Sequence, residues 1–189
     1  MEYKDMLANL ADRWGQTPES MEMLMNRIAS HESAGTMDPS VHQYSGGPGR
    51  GLFQFEVGEG QGGATAGNRL INFLKKEGSD IPDWLGSQVG ASGLIDSLDA
   101  SKLSPEQQKM LFLGNYRMHP DASLKGVNEG NLGDFWAKYH WAGDKKGSAL
   151  YRKKLNSFLD SQNAYNITNT PTREEMAFDN PEKKSPTTY

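Results

Sequence analysis

The sequence predicts an all-α protein with long glycine-rich loops and an irregular C-terminal tail. Three observations carry this. Apolar residues recur at helical spacing in six stretches, and no convincing alternating strand is present. Nine of the 21 glycines fall between Gly46 and Gly67. After about Ser161 large apolar residues become scarce. Glycine is about 11% of the 189 residues against a usual ~7%, so the excess is local and asks for a local cause.

The elements follow in order. Residues 3–14 set Met6, Leu7, Leu10 and Trp14 on one helical face, with Gly15 as the stop. In the second helix Thr17 serves as cap, Pro18 fits the first helical position, and Glu19 suits the positive end of the dipole. Its apolar face is Met21, Leu24, Met25 and Ile28, and the pattern fails by Gly35. Residues 68–77 carry Leu70, Ile71 and Leu74 and end at Gly78. Ser104-Pro105-Glu106 repeats the cap-then-proline signal and leads through Met110, Leu111, Leu113 and Tyr116 to a His119-Pro120 stop. Residues 131–140 place Leu132, Phe135, Trp136 and Tyr139 at helical spacing, with Trp136 assigned to the core. Residues 147–162 do the same with Leu150, Tyr151, Leu155, Phe158 and Leu159. The best strand, residues 52–57, is too short to predict a sheet.

These elements define one domain over residues 1–160. Residues 161–189 read as a polar tail, disordered alone or ordered against a partner, because such a segment buries too little surface to offset its ordering entropy.

Composition excludes several classes. No cysteine is present, so thiolate metal sites, thiol nucleophiles and disulfide frameworks are excluded together. A net charge of −4, from 20 basic and 24 acidic side chains, gives no footprint for nucleic acid or an anionic membrane. No run approaches the ~18 apolar residues of a membrane span. The N-terminus lacks the basic and apolar regions of a secretory signal.

Some motifs mislead. Residues 58–63 satisfy G-x-G-x-x-G, but a dinucleotide site needs a preceding buried strand and further βαβ units. A mobile rim joining two helices is the better reading. His31, His42, His119 and His140 form no helical pair of ligand spacing, so no metal site and no cofactor are expected. The Asn166-Ile167-Thr168 sequon carries no weight without a secretory signal.

The chemistry concentrates in residues 28–35 and 45–55. Ile28 lies four residues before Glu32, which puts Glu32 at the edge of the apolar face. Glu32 also falls in the last helical turn, where exposed carbonyls disfavour an added negative charge. Such a placement suits a general acid.

Glu32-Ser33-Ala34-Gly35, followed about twenty residues later by Gly51-Leu52-Phe53-Gln54, resembles the Glu-Ser-Gly and Gly-Leu-Met-Gln signature of soluble lytic transglycosylases. Ala137-Lys138-Tyr139-His140-Trp141-Ala142-Gly143 is similar to that family's later Ala-Tyr-Asn-Ala-Gly segment. The three elements come in the family's order, and the resemblance covers about residues 18–160. It implies a lysozyme-like fold and cleavage of peptidoglycan, with Glu32 as catalytic acid and then base. It further implies that Ser33 lies near the sugar, that Gln54 contacts saccharide, and that the family tyrosine whose hydroxyl faces the acid is matched by Tyr139, which keeps the phenol, or, on an ungapped match, by His140. Phe53 replaces the usual methionine and Trp141 the usual asparagine.

The resemblance also implies a product. The acid protonates the glycosidic oxygen of the MurNAc-GlcNAc bond, and the substrate's own groups complete the displacement to an anhydro sugar. Glu56 and Asp38, in neighbouring loops, leave open a hydrolytic reaction in which a carboxylate positions water. Trp84, Trp136 and Trp141 have flat faces that suit pyranose rings, but tryptophan at helical spacing is more often core; Trp136 is read as core and Trp141 stays open between the two roles. The expected partners are glycan strands and, through the tail, other proteins of a bacteriophage virion that opens the wall during genome delivery. An endolysin and a structural virion protein without activity are the alternatives.

Overall fold

The computed structural model describes residues 1–116, 133, 136, 137 and 148–169. The described residues are mainly helical: α1 Tyr3–Arg13, α2 Pro18–Glu32, α3 Gly62–Lys76, the short α4 Asp83–Gly86, α5 Pro105–Tyr116 and α6 Ala149–Asn169. Single 3-10 turns occur at Tyr44–Gly46 and Ala100–Lys102. Among the described residues no helix is long and apolar enough to cross a membrane.

Local chemistry explains the boundaries. At the start of α2, the Thr17 side chain accepts from Ser20 N–H, and the Ser20 hydroxyl accepts from Thr17 N–H, each at 3.2 Å. That is a reciprocal capping box closed by serine, with Pro18 at the position that needs no donor. Helix α3 begins at Gly62, earlier than the spacing of its large apolar residues predicts. The glycines of this segment are packing positions. A Cβ on Gly63 would lie 2.4 Å from the Leu98 carbonyl oxygen, and one on Gly67 2.7 Å from Ile95 Cδ1. The first turns of α3 thus press directly on the 95–98 segment, and the expected loop over Gly62 and Gly63 is helix.

The core is built where α3 crosses α5. A Cβ on Gly114 would fall 2.9 Å from Leu70 Cβ, so backbone meets side chain at the crossing. Leu70, Leu74, Phe73, Leu111, Phe112 and Leu113 are buried around it. Met6, Leu10, Met21, Met25 and Ile28 complete the core from α1 and α2. Glu22 joins three helices from the side, accepting from the Tyr3 hydroxyl and pairing with Lys109. Burial and the adjoining Glu22 carboxylate push the Tyr3 phenol well above its ordinary range.

One small hairpin over residues 49–56 breaks the helical pattern, and only its second strand falls within the 52–57 stretch. Strands β1 Gly49–Arg50 and β2 Phe55–Glu56 pair antiparallel, Gly49 opposite Glu56 and Arg50 opposite Phe55. The chain before it joins this platform: Gln43 N–H donates to Gly49 O at 2.9 Å, and Gly51 N–H to Val41 O at 2.8 Å.

The final helix extends beyond the expected domain boundary at 160, reaching Asn169. Gln162 is buried on it and donates to the Arg27 carbonyl of α2 at 3.2 Å. A polar side chain with a specific acceptor here replaces the apolar face whose absence suggested a tail. The rest of the expected tail lies outside the described residues.

Candidate functional site

Glu32 is the last residue of α2 and is half-buried. It opens onto a cleft of about 500 Å³. Helix α2 brings His31 and Glu32 to this cleft, the hairpin brings Phe53, Gln54 and Glu56, α3 brings Thr65 and Arg69, and α5 brings Asn115. Lys154 of α6 and Trp136 also line it.

The Trp136 indole N–H donates to Glu32 Oε1 at 2.6 Å. Trp136 is 2% exposed. Its ring stacks on Phe158, with centroids 4.8 Å apart and planes 15° apart, and meets His31 edge to face at 5.0 Å. His31 also meets Phe158 edge to face at 4.9 Å. Ser161 closes the group. Its hydroxyl donates to the Phe158 carbonyl at 2.6 Å, so its lone pairs are left to accept from His31 Nδ1–H at 2.8 Å. A hydroxyl has one proton to give, and this assignment places a proton on Nδ1 of His31. The core role read for Trp136 therefore holds, and the residue additionally fixes the carboxyl expected to do chemistry.

Gln54 lines the cleft, as the saccharide-contact reading requires. Its Nε2 donates to Gly51 O at 2.8 Å, and its backbone has φ +49°. Its Oε1 is buried without a hydrogen-bond partner among the described residues. Gly49 makes room for it, since a Cβ there would stand 2.7 Å from Oε1. Gly51 has φ +73°, and a Cβ on it would meet Gln108 Oε1 at 2.3 Å. That oxygen accepts from Leu52 N–H at 2.7 Å, while Gln108 Nε2 donates to Pro39 O and Leu103 O. Fully buried Gln108 is thus the hub holding the Gly51–Gln54 turn on α5.

Ser33, named as a sugar neighbour, is 1% exposed and does not line the cleft. It follows the last turn of α2, and its Oγ accepts from Met37 N–H at 3.0 Å. Its place is that of a support for the turn after Glu32. Asp38 also lies outside the cleft lining. Hydrogen bonds from the Ser40 hydroxyl and N–H hold its carboxyl below the usual carboxylate value. Trp84 lines a different, smaller pocket beside residues 1–3. Tyr139, His140 and Trp141 lie outside the described residues.

Sequence reasoning missed Arg69, Asn115, Thr65 and Lys154 as cleft residues. Each sits on a helix whose other residues build the core, and single polar residues there carry no motif. Among the described residues no cluster of three His, Asp or Glu side chains is arranged to hold a metal. Comparison with family models, with curated proteins and with solved structures finds no match for this chain.

Proposed function

We propose that this protein cleaves peptidoglycan glycan strands as a lysozyme-like lytic transglycosylase, with Glu32 as its acid and base. The observation that carries the reading is the Glu32 carboxyl, fixed by the Trp136 indole at the wall of a polar cleft that also holds Gln54. A fold needs no carboxyl at a helix end, whereas acid–base catalysis needs one held in a single geometry.

In this reading Glu32 gives its proton to the glycosidic oxygen between MurNAc and GlcNAc, and the C1–O bond breaks. The 6-hydroxyl of the same muramyl residue attacks C1 and returns its proton to the Glu32 carboxylate. The leaving sugar departs as an alcohol and the muramyl end closes as an anhydro ring, so no water is consumed. Gln54 contacts saccharide, and Tyr139 or His140 completes the site as the sequence resemblance implies. The setting that fits best is a phage virion component acting on the host wall.

Glu56 supports a second reading. It lines the same cleft as Glu32, and a second carboxylate is what hydrolysis requires. Zymography with wild type and Glu32→Gln, together with mass spectrometry of released muropeptides, tests both. Clearing by wild type alone with anhydro ends supports transglycosylation, and reducing ends support hydrolysis. Equal clearing by both proteins removes Glu32 from catalysis. Absence of clearing by folded wild type favours an inactive virion protein.

A further inference from the structure

The charges in the cleft do not match what a neutral saccharide needs. Arg69 projects from α3, half-buried, and lines the cleft with Glu32 and Glu56. Its Nη1 donates to Asn115 Oδ1 at 2.5 Å. That partner is a neutral amide. Among the described residues, ion pairs form away from this cleft: Arg13 with Glu77, Lys102 with Asp99, and Lys109 with Glu22. A guanidinium carries five N–H donors in a rigid fork and cannot shed its charge. Partly removed from water, it finds among the described residues an amide oxygen and no carboxylate, whereas a cation drawn out of water is normally accompanied by an anion. Lys154 adds a second positive charge to the same lining from α6.

We propose that Arg69 is the anion-reading residue of the cleft and holds a carboxylate of the bound glycan. Asn115 orients the fork by accepting one of its protons, which leaves the remaining donors for a bidentate carboxylate contact. The proposal rests on the muralytic reading above and sharpens it: the cleft selects a carboxylate-bearing glycan over a neutral chitin-type chain. Two sources share this chemistry, the lactyl ether of a peptide-free muramyl residue and the free carboxylates of a peptide stem.

Calorimetric titration in a Glu32→Gln background tests this with three probes: chitotetraose, a peptide-free GlcNAc-MurNAc tetrasaccharide, and the same tetrasaccharide bearing stem peptides. Adding Arg69→Met is expected to weaken binding of the carboxylate-bearing probe by about ten- to a hundred-fold, the range for losing a hydrogen bond to a charged group. Chitotetraose affinity should stay within about two-fold, which also reports that the cleft is intact, and Arg69→Lys should recover part of the loss. A loss confined to the peptide-free tetrasaccharide assigns the lactyl carboxylate, and one confined to the peptide-bearing probe assigns the stem. Equal weakening of all probes, or of none, overturns the role of Arg69 and leaves the muralytic reading standing. Selective loss in a protein whose wild type clears no peptidoglycan upholds the anion site and removes the enzymatic reading. Failure of wild type to bind any of the three overturns both.

Discussion

The Trp136 indole and the Glu32 carboxyl, 104 residues apart in sequence, meet at 2.6 Å. The relationship makes a core residue the orienting donor of the proposed acid. Trp136→Phe keeps a ring to stack on Phe158 and removes only the N–H. We expect peptidoglycan clearing to fall about ten- to a hundred-fold, from the ~1.5–3 kcal/mol of a hydrogen bond to a charged group. Circular dichroism should stay close to wild type. A turbidity assay on purified walls, run beside thermal melts, checks both parts; unchanged clearing would remove the orienting role.

The stacked pair behind Glu32 carries stability as well. Phe158 is fully buried between His31 and Trp136. Phe158→Ala should cost about 3–5 kcal/mol, the range for deleting a buried aromatic ring. Denaturant titration reads this directly. Ser161→Ala is expected to cost less, about 1–2 kcal/mol, by taking the acceptor from His31 Nδ1–H.

Gln108 offers a third test, at a distance from Glu32. It satisfies Leu52 N–H, Pro39 O and Leu103 O from one buried amide. Gln108→Leu keeps the volume and strands those three backbone groups, so a loss of about 2–4 kcal/mol is expected. Gly51→Ala should also destabilise, because it combines a positive φ with a 2.3 Å approach to the same amide. Chemical denaturation with activity measured below the transition separates loss of stability from loss of the cleft.

A pH dependence follows from Asp99. Burial raises its carboxyl, but hydrogen bonds from the Ser101 hydroxyl and N–H, with Lys102 and Arg50 nearby, outweigh that and hold it below the ordinary carboxylate value. A depressed carboxylate contributes stability above its ordinary value and loses it as pH falls through the lower folded value. Asp99→Asn should therefore melt below wild type near pH 6, and the gap should close near pH 2. The effect is small, because solvent screens a group near the surface. A gap of equal size at both pH values would contradict the assignment.

Local signals were legible in the sequence, and distant encounters were not. Thr17-Pro18 and Ser104-Pro105 mark helix starts because capping is decided within four residues. The apolar faces of α1 and α2 read correctly because each meets the core along a single stripe. The start of α3 did not read, since Gly62, Gly63, Ala64, Ala66 and Gly67 look like loop until the Leu98 carbonyl is placed against them. Glu32 and Gln54 carried a motif and do line one cleft. Ser33 carried the same motif and turns inward, because a residue just past a helix end is drawn into satisfying the turn that follows. The indole on Glu32 and the cation on Asn115 had no local signature at all.

The clamp behind the cleft also bears on where this chain can be cut. A polypeptide ending at residue 160 would retain every described residue that lines the cleft, Lys154 included. It would lose Ser161, which accepts from His31, and Gln162, which ties α6 to the Arg27 carbonyl. The shortest piece that contains the cleft is thus shorter than the shortest piece that holds it in shape.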